Sequence, residues 1–63
     1  MGLFALPPKP KEECTSEDFV DTAIHNLKLW KDTGSSREND YLVTMAISYL
    51  NDAMRKLRPL NDS

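Results

Sequence analysis

The chain is poor in the devices that staple very small proteins. It has one cysteine, Cys14, which excludes an internal disulfide, and one histidine, His25, so no Cys/His cluster can form a zinc site. Neither sign of charge dominates: 8 basic residues stand against 10 acidic ones, for a net charge of −2. That balance disfavours sequence-neutral binding to duplex nucleic acid, though a local basic cluster could still hold a small anion. Long apolar runs are also missing. The opening residues 1–6 lack a basic leader and a long hydrophobic stretch, so neither a secretory signal nor a membrane span is expected. Leu6 stands where N-myristoylation requires Ser or Thr, so a lipid anchor is not expected either. These absences predict a soluble, cytoplasmic protein without metal or other cofactor.

At 63 residues and without staples, a folded monomer is marginal, because a short chain withdraws little surface from water. Self-association into a homo-oligomer is the expected remedy. The fold class that follows is all-α: an antiparallel two-helix hairpin with an extended Pro-rich N-terminal arm, assembled as a homo-oligomeric helical bundle.

Residues 1–14 form the arm. Pro7, Pro8 and Pro10 fix φ and remove amide donors, which favours an extended path. The apolar tip of Leu3, Phe4 and Leu6 is placed to dock on its own domain or on a neighbouring subunit. Pro7, Pro8, Lys9, Pro10 and Lys11 also contain the PxxP-plus-basic pattern of ligands for proline-reading domains, against the plainer reading of a packing tail.

The hairpin domain covers residues 15–59. Its first helix is expected over residues 16–32, with Thr15 and Asp18 forming a capping box and Glu17 and Asp18 complementing the helix dipole. At 100° per residue, Phe19, Val20, Ala23, Ile24, Leu27 and Trp30 share roughly 140° of arc, with Asp18, Asp21, Thr22 and His25 outside it. Gly34 suits a left-handed C-terminal cap, and Ser35 with Glu38 fits a second capping box. So short a connection forces an antiparallel hairpin. The second helix is expected over residues 36–58, because Pro59 disfavours α geometry at the residue before it, and residues 60–63 form a frayed tail. At 1.5 Å per residue that helix is about 33 Å long against about 25 Å for the first, so its ends should protrude.

Two apolar stripes lie side by side on the second helix. Leu42, Ala46, Tyr49, Ala53 and Leu57 form one; Val43, Ile47, Leu50 and Met54 form the other. Together they span roughly 160°, more than one partner helix can bury, so Leu42, Val43, Ala46, Ile47, Tyr49, Leu50, Ala53 and Met54 are candidates for an oligomer interface. Opposite runs a polar strip of Arg37, Thr44, Ser48, Asn51 and Arg55, whose members from Thr44 onward are spaced four, three and four residues apart.

Few residues suit catalysis, which needs convergent groups with tuned acidity. His25 has no acid or nucleophile beside it, Cys14 reads as a packing thiol, and Asp18 and Asp21 lack the further ligands of a metal site. No enzyme activity and no metal are expected. Arg55, Lys56 and Arg58 complement the negative end of a helix dipole, whereas Arg37 lies at the other end. If subunits pack antiparallel, Arg37 of one meets Arg55 or Arg58 of another, with Thr44 or Ser48 supplying hydroxyls. Such a pocket could grip a phosphodiester while Tyr41, Tyr49, Trp30 or Phe4 stacks on a base.

The run from Ala46 to Met54, preceded by Arg37 and Glu38, resembles the second helix of small phage helical-hairpin proteins that sequester the cyclic oligonucleotide signals of CBASS and Thoeris-type bacterial immunity. In that pattern a small residue, a hydroxyl residue, a leucine, a small residue and a methionine or aromatic recur at close spacing; here they are Ala46, Ser48, Leu50, Ala53 and Met54. The resemblance implies an oligomer of hairpins that binds a cyclic di- or trinucleotide between subunits without turnover, Ser48 standing for the usual threonine and Arg37 or Arg55 contacting phosphate. The Pro-rich arm and the long interval from Arg37 to Ala46 depart from the pattern.

Two functions therefore compete. One is a ligand-sequestering oligomer that uses Arg37, Thr44, Ser48, Asn51 and Arg55. The other is a protein-interaction module, such as a small phage or plasmid inhibitor or an assembly factor, that docks an apolar helix face on a host protein. A DNA-binding regulator is disfavoured by the acidic balance and the lack of helix-turn-helix spacing.

Overall fold

The computed structural model describes residues 4–58; Leu3 of the arm tip, Pro59 and the tail at 60–63 lie outside them. The described chain is helical, with helix α1 over Ser16–Asp32, helix α2 over Tyr41–Leu57, and single 3-10 turns at Lys11–Glu13 and Arg37–Asn39. The helices run antiparallel. Ser16 Oγ at the start of α1 donates to the Ala53 carbonyl near the end of α2 (3.1 Å), and Trp30 Nε1 near the end of α1 donates to the Ser36 carbonyl before α2 begins (3.0 Å).

Local chemistry sets the ends of α1. Thr15 Oγ1 accepts from the Asp18 amide (3.2 Å) and Asp18 Oδ2 accepts from the Thr15 amide (3.0 Å), so the expected capping box is present. At the other end the Ser35 amide donates to the Trp30 carbonyl and the Gly34 amide to the Lys31 carbonyl, the paired bonds of a Schellman cap. Gly34 has φ of +92°, a conformation that disfavours any residue with a Cβ.

The start of α2 differs from the expectation. The helix begins at Tyr41, not near position 36, and Ser35 is not its cap. Ser35 continues the left-handed turn with φ of +55°, and Ser36 is extended at ψ 140°. Ser36 Oγ then accepts from the Glu38 amide (3.0 Å) and starts the 3-10 turn, after which Asp40 leads into α2. Asn39 and Asp40 suit such a junction, because their side chains favour turns over a helix interior. Both helices are consequently 17 residues, about 26 Å each, and the expected protrusion of a longer second helix does not arise.

Between the helices lie Phe19 and Ala23 of α1 and Leu42, Ala46, Tyr49 and Ala53 of α2, all buried, with Cys14 closing the core from the arm. The Phe19 and Tyr49 rings stack at 6.1 Å between centroids, inclined by 18°. Ala23, Ala46 and Ala53 offer little bulk at the crossing, which lets the backbones approach closely. The alanine-bearing stripe is thus the intramolecular one. Leu42, Ala46, Tyr49 and Ala53 are taken up within the hairpin and not left for a neighbouring subunit. Leu57, assigned to the same stripe, is exposed, because the first residue of α1 already lies level with Ala53 and nothing of α1 extends further.

One flank of the hairpin is closed by the arm. The buried Asn26 side chain holds residue 5 at both ends: its Oδ1 accepts from the Ala5 amide (2.8 Å) and its Nδ2 donates to the Ala5 carbonyl (3.2 Å), with a further bond to the Thr22 carbonyl. Thr22, placed outside the apolar arc on the basis of periodicity, is buried, and its Oγ1 donates to the Asp18 carbonyl. The arm converts that polar side of α1 into interior. Further along, the Cys14 thiol donates to the Lys9 carbonyl, Lys11 pairs with Asp52 at 3.3 Å, and Lys56 donates to the Glu12 carbonyl. Phe4 and Leu6 are exposed, so the arm docks by backbone at Ala5 and not by its large apolar side chains.

The other flank has no cover among the described residues. Advancing 100° per residue, with the two chains opposed in direction, Val20, Ile24 and Leu27 of α1 and Val43, Ile47, Leu50 and Met54 of α2 turn to the same side of the hairpin, away from the arm. Val20, Leu27 and Val43 are half-buried at the base of this face, while Ile24 (44% exposed), Ile47 (55%), Leu50 (39%) and Met54 (50%) stand open. Four large apolar side chains in one patch depart from the scattered exposure normal for a soluble surface.

Candidate functional site

The polar strip of α2 lies along the edge of the open apolar flank. Thr44, Ser48, Asn51 and Arg55 are all exposed, and among the described residues their side chains make no hydrogen bond or ion pair. Asn51 is about 40° around the helix from Ile47, so donors and apolar surface are contiguous. Arg37 is separate. It sits exposed in the 3-10 turn beside the helix connection, whereas Arg55 lies in the last turn of α2, so one chain cannot bring both to one ligand.

Arg55 belongs to a second grouping that the strip does not reveal. Where the arm crosses the end of α2, Lys11, Phe19, Asp52, Arg55 and Lys56 line a cleft of about 310 Å³. Three basic residues and one acidic residue share that lining, with the Lys56 ammonium donating to the Glu12 carbonyl. Asp52 Oδ2 is buried and lies 3.3 Å from the Lys11 ammonium, but outside hydrogen-bond geometry, so this oxygen has no hydrogen-bond donor among the described residues. The same ammonium lies 5.8 Å from the centroid of the Tyr49 ring, within cation–π range. Nothing in the local sequence links Lys11 to Asp52; only the return of the arm across the hairpin brings them together.

A cleft of similar size, about 310 Å³, runs between the arm and α1, lined by Leu6, Pro8, Asp18, Asp21, Thr22 and His25. The backbone N–H of Thr15 holds the Asp18 carboxyl below its usual acidity range, with the Lys9 ammonium 3.8 Å away adding to the effect. His25 is exposed, with Nδ1 2.9 Å from the Asp21 carbonyl in its own helix. Among the described residues no group of three or more His, Cys, Asp or Glu side chains is arranged to hold a metal, and no helix is long and apolar enough to cross a membrane.

The hydroxyl and arginine strip, the open apolar flank and the three-cation cleft are therefore neighbours around α2. Together they offer hydrogen-bond donors, an open apolar surface and positive charge. Comparison of the chain with protein-family models, with characterised proteins and with solved structures gives no match.

Proposed function

We propose that the chain is a non-enzymatic binding protein that assembles as a homo-oligomer of hairpins and sequesters a cyclic di- or trinucleotide along the seams between subunits. The observation that supports this reading is the position of the strip. Thr44, Ser48, Asn51 and Arg55 keep their donors free of internal bonds and border the open face of Ile24, Ile47, Leu50 and Met54. A second copy seated on that face brings its own strip, and in an antiparallel arrangement its Arg37, to the rim of the same interface. Phosphodiesters suit such a rim, because arginine forks and hydroxyls donate to their oxygens while the bases stack on exposed rings. The likeness of the second helix to phage proteins that trap immune signals points the same way.

A thermal-shift panel of cyclic di- and trinucleotides tests the reading. A ligand at 100 times its Kd adds about 2.7 kcal/mol of stability, which is easily read as a rise in Tm. Ser48→Ala and Arg55→Ala should abolish that rise while leaving the oligomer intact. No response to any member of the panel would remove the proposal.

The open flank by itself favours a second reading, a protein-interaction module that docks this face on a host protein. Sedimentation separates the two. A chain that stays monomeric at all concentrations leaves Ile47, Leu50 and Met54 for a foreign partner, whereas self-association occupies them.

A further inference from the structure

The open flank is charged at its corners, and the charges alternate. Where α1 starts and α2 stops, Glu17 stands at the α1 edge and Arg58 at the α2 edge; beside the connection, Lys28 stands at the α1 edge and Asp40 at the α2 edge. Advancing 100° per residue, Glu17 and Lys28 lie about 20° and 40° beyond Ile24. Asp40 and Arg58, the residues just before and just after α2, are five full turns apart and share one bearing about 20° beyond Ile47. All four are exposed, and among the described residues none has an ion-pair partner. The stripe between Asp40 and Arg58 has a symmetry of its own. Val43, Ile47, Leu50 and Met54 follow one another at intervals of four, three and four residues, a spacing that reads the same in both directions. A second α2 laid antiparallel on the first therefore meets it with the same face, Ile47 against Leu50 of the second copy and Val43 against its Met54. The same twofold brings Asp40 within about one residue, roughly 1.5 Å along the axis, of Arg58 of the second copy, on the same rim.

We infer that the chain forms a closed twofold dimer in which α2 packs antiparallel on α2 of a second copy, with Asp40 and Arg58 pairing across the interface at both ends and setting its register. Three of the four open side chains, Ile47, Leu50 and Met54, belong to α2, so α2 lies at the centre of the contact and Ile24 of α1 at its margin. The apolar stripe supplies the attraction, and the charges at its ends select the orientation, since unlike charges on a rim add little affinity but exclude wrong alignments. Each copy uses its flank once, so assembly stops at two. The polar strips of the two copies then run side by side along the rim that carries Asp40 and Arg58. The inference rests on the proposed self-association and adds the number of copies, their orientation and the pair that fixes it.

Sedimentation equilibrium of the full chain tests it with two charge reversals, Asp40→Arg and Arg58→Asp. The unaltered chain should sediment as a dimer. Each reversal alone should raise the dissociation constant about tenfold, because symmetry turns one substitution into two like-charged contacts. An equimolar mixture of the two variants should recover the affinity of the unaltered chain as a heterodimer, since the two substituted positions then face each other with opposite charge and the two native ones do the same. Recovery on mixing also shows that both variants are folded. A dimer that packed α2 on α1, with Asp40 facing Lys28, would be weakened by Asp40→Arg and not restored by mixing. That result, indifference to both reversals, or an assembly larger than two overturns this arrangement and leaves self-association intact; a monomer at every concentration overturns both.

Discussion

The two flanks of the hairpin use similar helices to opposite ends. On the arm side, α1 presents the polar pair Thr22 and Asn26, both buried: Asn26 is satisfied by the arm backbone at Ala5, and Thr22 by the Asp18 carbonyl of its own helix. On the far side, α1 and α2 present Ile24, Ile47, Leu50 and Met54, and these stay exposed because no part of the described chain reaches them. A polar surface is closed and an apolar one is left open. The difference teaches that burial in so small a chain follows where the backbone goes, and that hydropathy alone does not predict it. A free monomer of this form has its greatest unmet demand on the far side, which is where association should begin.

The comparison can be broken most severely at the element both flanks share. Phe19→Ala removes a fully buried ring stacked on Tyr49, and a loss of about 3–5 kcal/mol is expected, enough to abolish cooperative unfolding in a denaturant melt of a domain this small. Asn26→Ala acts on the closed flank only. It leaves the amide and carbonyl of Ala5 without their partners, and the expected cost is about 1–3 kcal/mol. Hydrogen exchange at the Ala5 amide should accelerate more than exchange within α2; equal acceleration throughout would show that the arm is not a separable layer.

Thr15→Ala removes the cap beneath the arm and should cost about 1 kcal/mol. Asp18 gives this site a dependence on pH. Its acidity is enhanced in the folded chain, so its contribution is fully present above the unfolded value, about 3.9, and is lost as the pH falls through the lower folded value. Melting temperatures measured from pH 6 downward should fall slightly less steeply in the Thr15→Ala variant, because the Thr15 hydroxyl adds a smaller part of the depression, while the backbone N–H that is its main cause is retained. The smallest effect on folding belongs to the open flank. Ile47→Glu should change monomer stability by no more than about 0.5 kcal/mol when measured too dilute for association, yet it should abolish self-association in sedimentation. Loss of the fold in that variant would mean that the flank is part of the core after all.

Signals confined to neighbouring residues were legible in the sequence. Thr15 with Asp18, Gly34 after a helical period, and the alternation of apolar positions along α1 and α2 each specify local geometry, and the hairpin follows from them. The division of α2 into one stripe for α1 and one left over was also legible, but not which was which. That depended on how closely Ala23 lets Ala46 and Ala53 approach, a property of two helices together. The start of α2 was misplaced because Ser35 resembles a cap in sequence, while the left-handed turn at Gly34 extends through it and moves that role to Ser36. Burial of Asn26 and the meeting of Lys11 with Asp52 depend on the arm folding back over the hairpin, and no short-range pattern encodes that return. The strip of Thr44, Ser48, Asn51 and Arg55 was legible as a row, whereas the cleft beside it was not.

The clasp between Asn26 and Ala5 has a consequence for how the two positions can vary. Asn26 recognises an amide and a carbonyl that nearly every amino acid carries, so position 5 is free to drift in side-chain identity so long as it does not become proline, which has no N–H to offer. Position 26 has no comparable freedom: shortening the amide, lengthening it or replacing it with a charge each loses one half of the grip. Tolerance to substitution is thus strongly unequal between two residues in direct contact, and random mutagenesis should find position 5 permissive and position 26 nearly invariant.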